Sequence, residues 1–192
     1  MKHITKMIVA VVFAGAAFAC QTKEKPADTN EAAAEANDEK FQTQKAEEDA
    51  DFIAHAVASN YAEIELAQIG IQRSDNKQIK EVGRMLEEHH NKLLRDLQAL
   101  ATKKAISIPS ASEDKDRSTI DDLNKESEIK DFNKEWCKEL VSKHEKSIKD
   151  FEERLAKTDD PDIKNLVNEA LPQLRTHLEQ VKACHEKIAE AK

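Results

Sequence analysis

The sequence predicts an all-α protein, a ferritin-like antiparallel four-helix bundle with a long connection between its second and third helices. Four long stretches carry apolar residues at steps of three and four, which is the spacing of one buried helix face. Charged residues make up 35% of the chain and aromatic residues only 4%, a composition typical of long solvated helices. No stretch shows the alternating pattern that indicates a strand.

The first 45 residues are predicted to precede the folded domain. After a short basic start, the apolar run MIVAVVFAGAAFA is too short to span a bilayer, so residues 1–19 are interpreted as a signal peptide. Cys20 follows this run and is predicted to be the lipidated first residue; cleavage without lipidation, which gives a secreted protein, is the alternative. Residues 20–45 have almost no large apolar side chains and are predicted to form a disordered lipoprotein tether.

These features predict a protein of the cell envelope, either periplasmic or held at the outer membrane. Membrane contact is expected through the lipid anchor. The net charge of −8 argues against nucleic acid as a partner, because phosphate binding needs a basic face.

The bundle is predicted to occupy residues 46–192. The four helical periodicities cover about 46–73, 76–103, 127–157 and 161–189.

Turn residues indicate how these helices connect. Asn76 and Asp160 are suitable N-cap residues, and Pro161 suits the first position of the last helix. Short links at 74–76 and 158–160, which end at these caps, predict two antiparallel hairpins. The longer connection, about 106–126, is predicted to contain a short helix over 114–124 and to cross the bundle.

Histidines occupy positions on the apolar stripes of three helices, where leucine is expected. In an antiparallel hairpin, residues at one height have a constant sum of residue numbers. The last hairpin therefore places His144 opposite His177, and the first places Glu63 opposite His89. If the two hairpins are in register, all four side chains meet at one level of the bundle.

Three imidazoles and one carboxylate are a suitable ligand set for a divalent transition metal, zinc first, with iron or copper as alternatives. Glu65 is the alternative to Glu63; the two point about 200° apart around the helix, so only one can face inward. His55, His90 and His185 are expected to be solvated.

Two other interpretations of this layer stay open. The four groups could form a hydrogen-bonded polar layer without metal, in a structural or interaction module. A metal-dependent oxidase is the third interpretation, although the Glu-x-x-His spacing of di-iron bundles occurs in only one copy, in EEHH at 87–90.

Cys137 and Cys184 are predicted to face each other two turns, about 10 Å, from the histidines. A structural disulfide between the last two helices is the favoured interpretation, and redox chemistry or soft-metal binding is the alternative.

Four segments in order resemble a family of exported bacterial proteins known as domain of unknown function 4142. They are AEIELAQIG (62–70), VGRMLEEHHNKL (82–93), SKHEKSI (142–148) and LPQLRTHLEQ (171–180). The family is similar to the ferritin-like superfamily, which implies a four-helix bundle with one crossover. The resemblance implies that the recurring histidines of the family fall on His89, His144 and His177, and its helix glutamates on Glu63 and Glu65. The activity of the family is not established. The four candidate ligands lead us to expect metal binding for storage, sensing or stress protection.

Overall fold

The computed structural model describes residues 29–190, and this part of the chain consists of six α-helices and their connections, without a strand. The helices are α1 (Thr29–Lys40), α2 (Gln44–Arg73), α3 (Lys77–Lys104), α4 (Asp114–Lys125), α5 (Ile129–Lys157) and α6 (Pro161–Glu190). The predicted all-α class is confirmed. None of these helices combines the length and the apolar character that a bilayer-spanning segment needs. The predicted signal peptide and Cys20 lie outside the described residues.

Side-chain caps allow two of the links to be very short. The Asn76 carboxamide oxygen accepts hydrogen bonds from the backbone N–H groups two and three residues further on, at 2.8 and 3.2 Å. Asp160 does the same at 2.9 and 3.2 Å, and Pro161, which has no N–H to satisfy, begins α6. Each cap supplies acceptors for N–H groups that have no partner within the helix, so α3 and α6 begin immediately after the turn.

Helices α2 and α5 pack against each other in opposite directions. At one end, the Ser74 hydroxyl after α2 donates to Asn133 in the first turns of α5, at 2.7 Å. At the other end, the Thr158 hydroxyl after α5 donates to Asp49 near the start of α2, at 2.9 Å. The last turn of α2 therefore lies beside the first turn of α5.

Helices α3 and α6 are also antiparallel neighbours, because Lys103 at the end of α3 pairs with Asp162 at the start of α6, at 2.7 Å. It follows that α3 ends at the opposite end of the bundle from the start of α5. The connection over residues 105–128 therefore runs the length of the bundle. Helix α4 lies in this connection and packs on α2 and α5.

The core consists of two apolar clusters, one in each half of the bundle. On α3, the fully buried Leu86 and Leu97 belong to different clusters. On α6, Val181 and Leu174 are divided in the same way. A polar layer occupies the level between the clusters, and its composition is described below.

Trp136 of α5 is the largest fully buried side chain in the cluster near the α2–α3 turn. Its indole N–H donates to the Leu66 carbonyl oxygen of α2 at 2.6 Å. Gly70 makes room for the ring, since a Cβ at this position would lie 2.5 Å from the Trp136 Cε2 atom. The close contact between α2 and α5 therefore depends on a residue without a side chain.

The structure departs from the predicted disordered tether at residues 29–40, which form α1. Helix α1 packs on α2 and buries Ala33 and Asn37. The Asn37 carboxamide pairs with the backbone of Ser107 in the long connection: it accepts from the N–H at 2.8 Å and donates to the carbonyl at 3.0 Å. Helix α1 is attached to the bundle by the hydrogen bonds of one carboxamide and by small buried side chains. A count of large apolar residues does not detect such contacts. The folded region therefore begins well before the predicted start at residue 46.

Candidate metal centre

Three histidines and one glutamate form the polar layer between the two apolar clusters. They are Glu63, His90, His144 and His177, and each side chain is 2% exposed or less. One ring nitrogen of each histidine lies within 4.8 Å of the others. The carboxylate Oε2 of Glu63 lies 2.9 Å from the His90 Nε2 atom. The structure thus brings together three of the four predicted residues, with His90 in the place predicted for His89.

His90, which was predicted to be solvated, points into the bundle, and His89 is half-buried beside it. His89 still contacts the cluster, because its Nδ1 lies 2.8 Å from the His177 Nε2 atom and the two rings stack. The position in the cluster that was predicted for His89 is therefore occupied by its neighbour His90. His89 is instead an outer hydrogen-bond partner of one cluster member.

The exchange of these two histidines follows from the position of the buried face of α3. Successive helical residues are about 100° apart, so residues 89 and 90 fall on the two sides of the leucine stripe. Small residues show which side of the stripe faces α2. Gly83 lies seven residues before His90, and α2 approaches it so closely that a Cβ at this position would lie 3.0 Å from the Ala67 carbonyl oxygen. Gly83 and Ala101 are buried on the side of His90, and they are the sequence signal that a leucine count omits.

Backbone and amide groups determine the protonation of two rings. The Leu140 carbonyl lies 2.8 Å from His144 Nδ1; since a carbonyl only accepts, this Nδ1 carries the proton. The Asn60 amide nitrogen donates to the Ala56 carbonyl at 2.8 Å, which turns the Asn60 oxygen toward His90 Nδ1, 3.0 Å away. His90 Nδ1 is therefore also a donor. In both neutral rings, Nε2 carries the lone pair.

These two Nε2 atoms, of His90 and His144, lie 3.4 Å apart. Two neutral rings would direct lone pairs at each other, which is repulsive in a buried site. The arrangement therefore requires a cation at this point, either a proton or a metal ion. About 3.3 Å is also the separation of two nitrogens that share a tetrahedral zinc ion with bonds of about 2.05 Å.

Glu63 supplies negative charge to the same point. Burial disfavours its ionised form, but the positive charge that His90 and His144 carry when protonated, and the hydrogen bond that His90 Nε2–H then donates, outweigh this effect, so the pKa of the carboxyl lies well below its usual value. Its second oxygen accepts a hydrogen bond from the Ser147 hydroxyl at 3.1 Å. Glu63 is therefore a carboxylate at neutral pH, oriented from both sides.

His177 is held in its neutral form. Burial, together with the adjacent rings of His90, His144 and His89, lowers its pKa to about 2. The Nε2 atom contacts His89, whereas Nδ1 is buried without any hydrogen-bond partner. If Nε2–H donates to His89, Nδ1 presents a lone pair inside the protein, as a metal ligand does.

Glu65, the alternative carboxylate, does not take part in this cluster. It is half-buried on the side of α2 that faces α4, among Arg117, Asp116 and Asp121. Burial raises the pKa of the Glu65 carboxyl. The structure therefore selects Glu63 over Glu65, in agreement with the argument that only one of them faces inward.

Cys137 and Cys184 face each other between α5 and α6, as the hairpin register predicted. Both are fully buried thiols, and their sulfur atoms lie 3.5 Å apart. The sulfurs are in contact without a covalent bond, so the disulfide itself stays a prediction.

These features define a class of protein: a helical bundle whose core carries a buried cluster of three histidines and a carboxylate. The chain belongs to the family of the domain of unknown function DUF4142, whose sequence profile matches residues 29–184. The resemblance inferred from the four sequence segments is thereby confirmed at the level of the family. No curated protein and no solved structure matches the chain.

Proposed function

We propose that this protein binds one divalent transition-metal ion in the centre of its bundle, through His90, His144, His177 and Glu63. Zinc is the first choice, and iron or copper are the alternatives. The observation that supports the proposal most directly is the pair of Nε2 atoms, 3.4 Å apart, whose rings are both held by hydrogen bonds at Nδ1. Metal-binding histidines in general donate their second ring N–H to such partners.

The ligand set favours holding a metal over using it as a catalyst. Catalytic zinc sites keep one coordination position open for water or substrate, whereas structural sites are closed by four protein ligands. Here the four groups come from all four long helices and are shielded from solvent. A bound ion would therefore be sequestered, which suits metal storage, sensing or stress protection in the envelope.

We also propose a distant relationship to the ferritin-like bundles, which have a single long crossover. The run of residues 105–128 along the bundle supports this. The di-iron chemistry of that superfamily is not supported, because it uses several carboxylates and the polar layer of the described residues has one, Glu63.

A proton is the competitor of the metal at this site. With His90 protonated, its Nε2–H donates to Glu63 at 2.9 Å and the pair is neutral overall. In that case the layer would be a buried polar network that determines how the helices align, and the protein would be an interaction module. A metal titration separates the two functions.

The test uses the chain with Cys20→Ser and without an affinity tag that contains histidine, titrated with cobalt and zinc. We expect one equivalent of cobalt to bind with the intense visible absorption of tetrahedral coordination, and zinc to displace it. His185→Ala is the matched control, since this histidine lies on α6 outside the cluster, and its titration should be unchanged. No saturable binding of either ion would contradict the metal proposal and leave the polar network.

We propose further that the protein is exported and anchored through lipid on Cys20, which would place the metal site in the cell envelope. Cells grown with a labelled fatty acid should label the wild-type protein and not the Cys20→Ser variant. Equal labelling of both, or of neither, would exclude this anchor.

A further inference from the structure

The buried thiols of Cys137 and Cys184 are not used by the metal site, yet they lie on the same two helices. Their sulfurs are 3.5 Å apart, and the Cys137 thiol donates a hydrogen bond to the Cys184 sulfur. Formation of a disulfide would shorten this distance to about 2.05 Å, a movement within the range of side-chain rotation. The two side chains are therefore placed for a bond that the structure does not contain.

The surroundings of the pair are apolar. Both side chains are 0% exposed and belong to the cluster that includes Phe132, Trp136, Leu140, Val181 and Ile188. The contact with Cys184 and burial raise the pKa of the Cys137 thiol, and neither sulfur is accessible to a disulfide oxidant in the folded protein. Exchange should therefore take place while α5 and α6 are separating or have not yet packed.

The spacing connects the thiols to two metal ligands. Cys137 lies seven residues before His144 on α5, and Cys184 lies seven residues after His177 on α6. The pair of thiols therefore lies two helical turns, about 10 Å, from the pair of histidines along the same hairpin. Any opening of α5 from α6 that separates the two sulfurs also tends to separate these two histidines.

We propose that Cys137 and Cys184 form a reversible disulfide that tightens the histidine site for its metal ion. The inference rests on the proposed metal-binding function. Two S–H bonds are lost and one S–S bond forms; the two electrons and two protons reduce a disulfide oxidant, such as glutathione disulfide, to two thiols. The bond restricts opening of the hairpin, so less ordering remains to be achieved when the metal binds.

Thermodynamic linkage makes the coupling reciprocal. If the disulfide raises metal affinity by a given factor, bound metal shifts the dithiol–disulfide equilibrium toward the disulfide by the same factor. An envelope protein of this design would hold its ion while oxidised and release it more readily when reduced.

The test compares two forms of the Cys20→Ser chain, in which Cys137 and Cys184 are the remaining cysteines. One is refolded with glutathione disulfide and the other is kept reduced with a phosphine. Zinc dissociation constants are measured by competition with a chelator, and free thiols are counted by mass analysis after alkylation. We expect the oxidised form to bind zinc at least about 5-fold more tightly than the reduced form. Saturating zinc should raise the disulfide-to-dithiol ratio in a glutathione buffer by the same factor.

Cys184→Ala is the control for effects of the reagents, and its zinc affinity should be the same after both treatments. Failure of this variant to fold would not affect the wild-type comparison. Two free thiols after oxidative refolding, or equal zinc affinities of the two forms, would overturn the inference and leave the proposed function intact. Binding of zinc to neither form would overturn both.

Discussion

Replacement of His144 with alanine should weaken zinc binding by more than about 100-fold, because loss of an outer partner of a metal ligand already costs roughly 10–100-fold. His144 is fully buried, its Nδ1 is hydrogen-bonded to the Leu140 carbonyl, and its Nε2 lies 3.4 Å from His90 Nε2. Zinc affinity is measured by competition with a chelator.

His185→Ala is again the matched control and should bind zinc as the wild type does. Circular dichroism of the metal-free His144→Ala variant shows whether the bundle still forms. A folded variant with affinity within threefold of the wild type would show that His144 is not a ligand. The remaining interpretation would then be the polar network.

The metal-free protein should lose stability in mild acid, beginning near pH 6.5, the ordinary pKa of histidine. In the folded protein His177 has a pKa of about 2, and burial lowers the pKa of His144 as well. Between the two pKa values of each residue, the unfolded chain binds a proton that the folded chain does not. Each such histidine therefore lowers the free energy of unfolding by about 1.4 kcal/mol per pH unit as the pH falls.

Glu63 adds to the loss of stability at still lower pH. Its carboxyl has a folded pKa below the ordinary value of 4.5, so its contribution is present above about pH 4.5 and is lost as the pH falls toward the folded pKa. Both effects have the same sign, so the metal-free protein should be more stable at neutral pH than in mild acid.

Urea unfolding of the metal-free protein between pH 7.5 and 4.5 measures this effect. His177→Leu removes one of the buried groups, so its stability should fall less steeply with pH than that of the wild type. A free energy of unfolding that does not change between pH 7.5 and 5 would show that the buried histidines are already protonated in the folded state. Saturating zinc should shift the loss of stability to lower pH, since the ion and the protons compete for the same atoms.

The hairpin of α5 and α6 shows where sequence reasoning succeeds. Its link is short and carries an unambiguous cap at Asp160, so a count of residues from the turn pairs His144 with His177 and Cys137 with Cys184. Short links leave little freedom of register, and every later pair follows from the first.

The hairpin of α2 and α3 shows where such reasoning fails. The choice between His89 and His90 depends on how closely two helices approach at Gly83, and this distance is set by packing in three dimensions. The Asn60 side chain that orients His90 was likewise missed. In the sequence, an asparagine in the middle of a helix is expected to be solvated. Asn60 is only 4% exposed in the structure, so it is a buried polar partner.

Helix α1 was missed for a different reason. Its contacts with the long connection depend on one carboxamide, Asn37, that pairs with backbone groups about 70 residues away. Composition measures how much apolar surface a segment can bury, and it carries no information about specific polar pairs of this kind.

The buried indole of Trp136 has a practical consequence for all of these measurements. It is the single tryptophan of the chain, fully shielded from water, hydrogen-bonded to α2 and directly adjacent in sequence to Cys137. Its fluorescence therefore reports on one known place in the molecule, the contact between α2 and α5 beside the thiol pair. Unfolding, or any separation of these helices, exposes the ring and shifts its emission to longer wavelength, so the native chain carries its own optical probe.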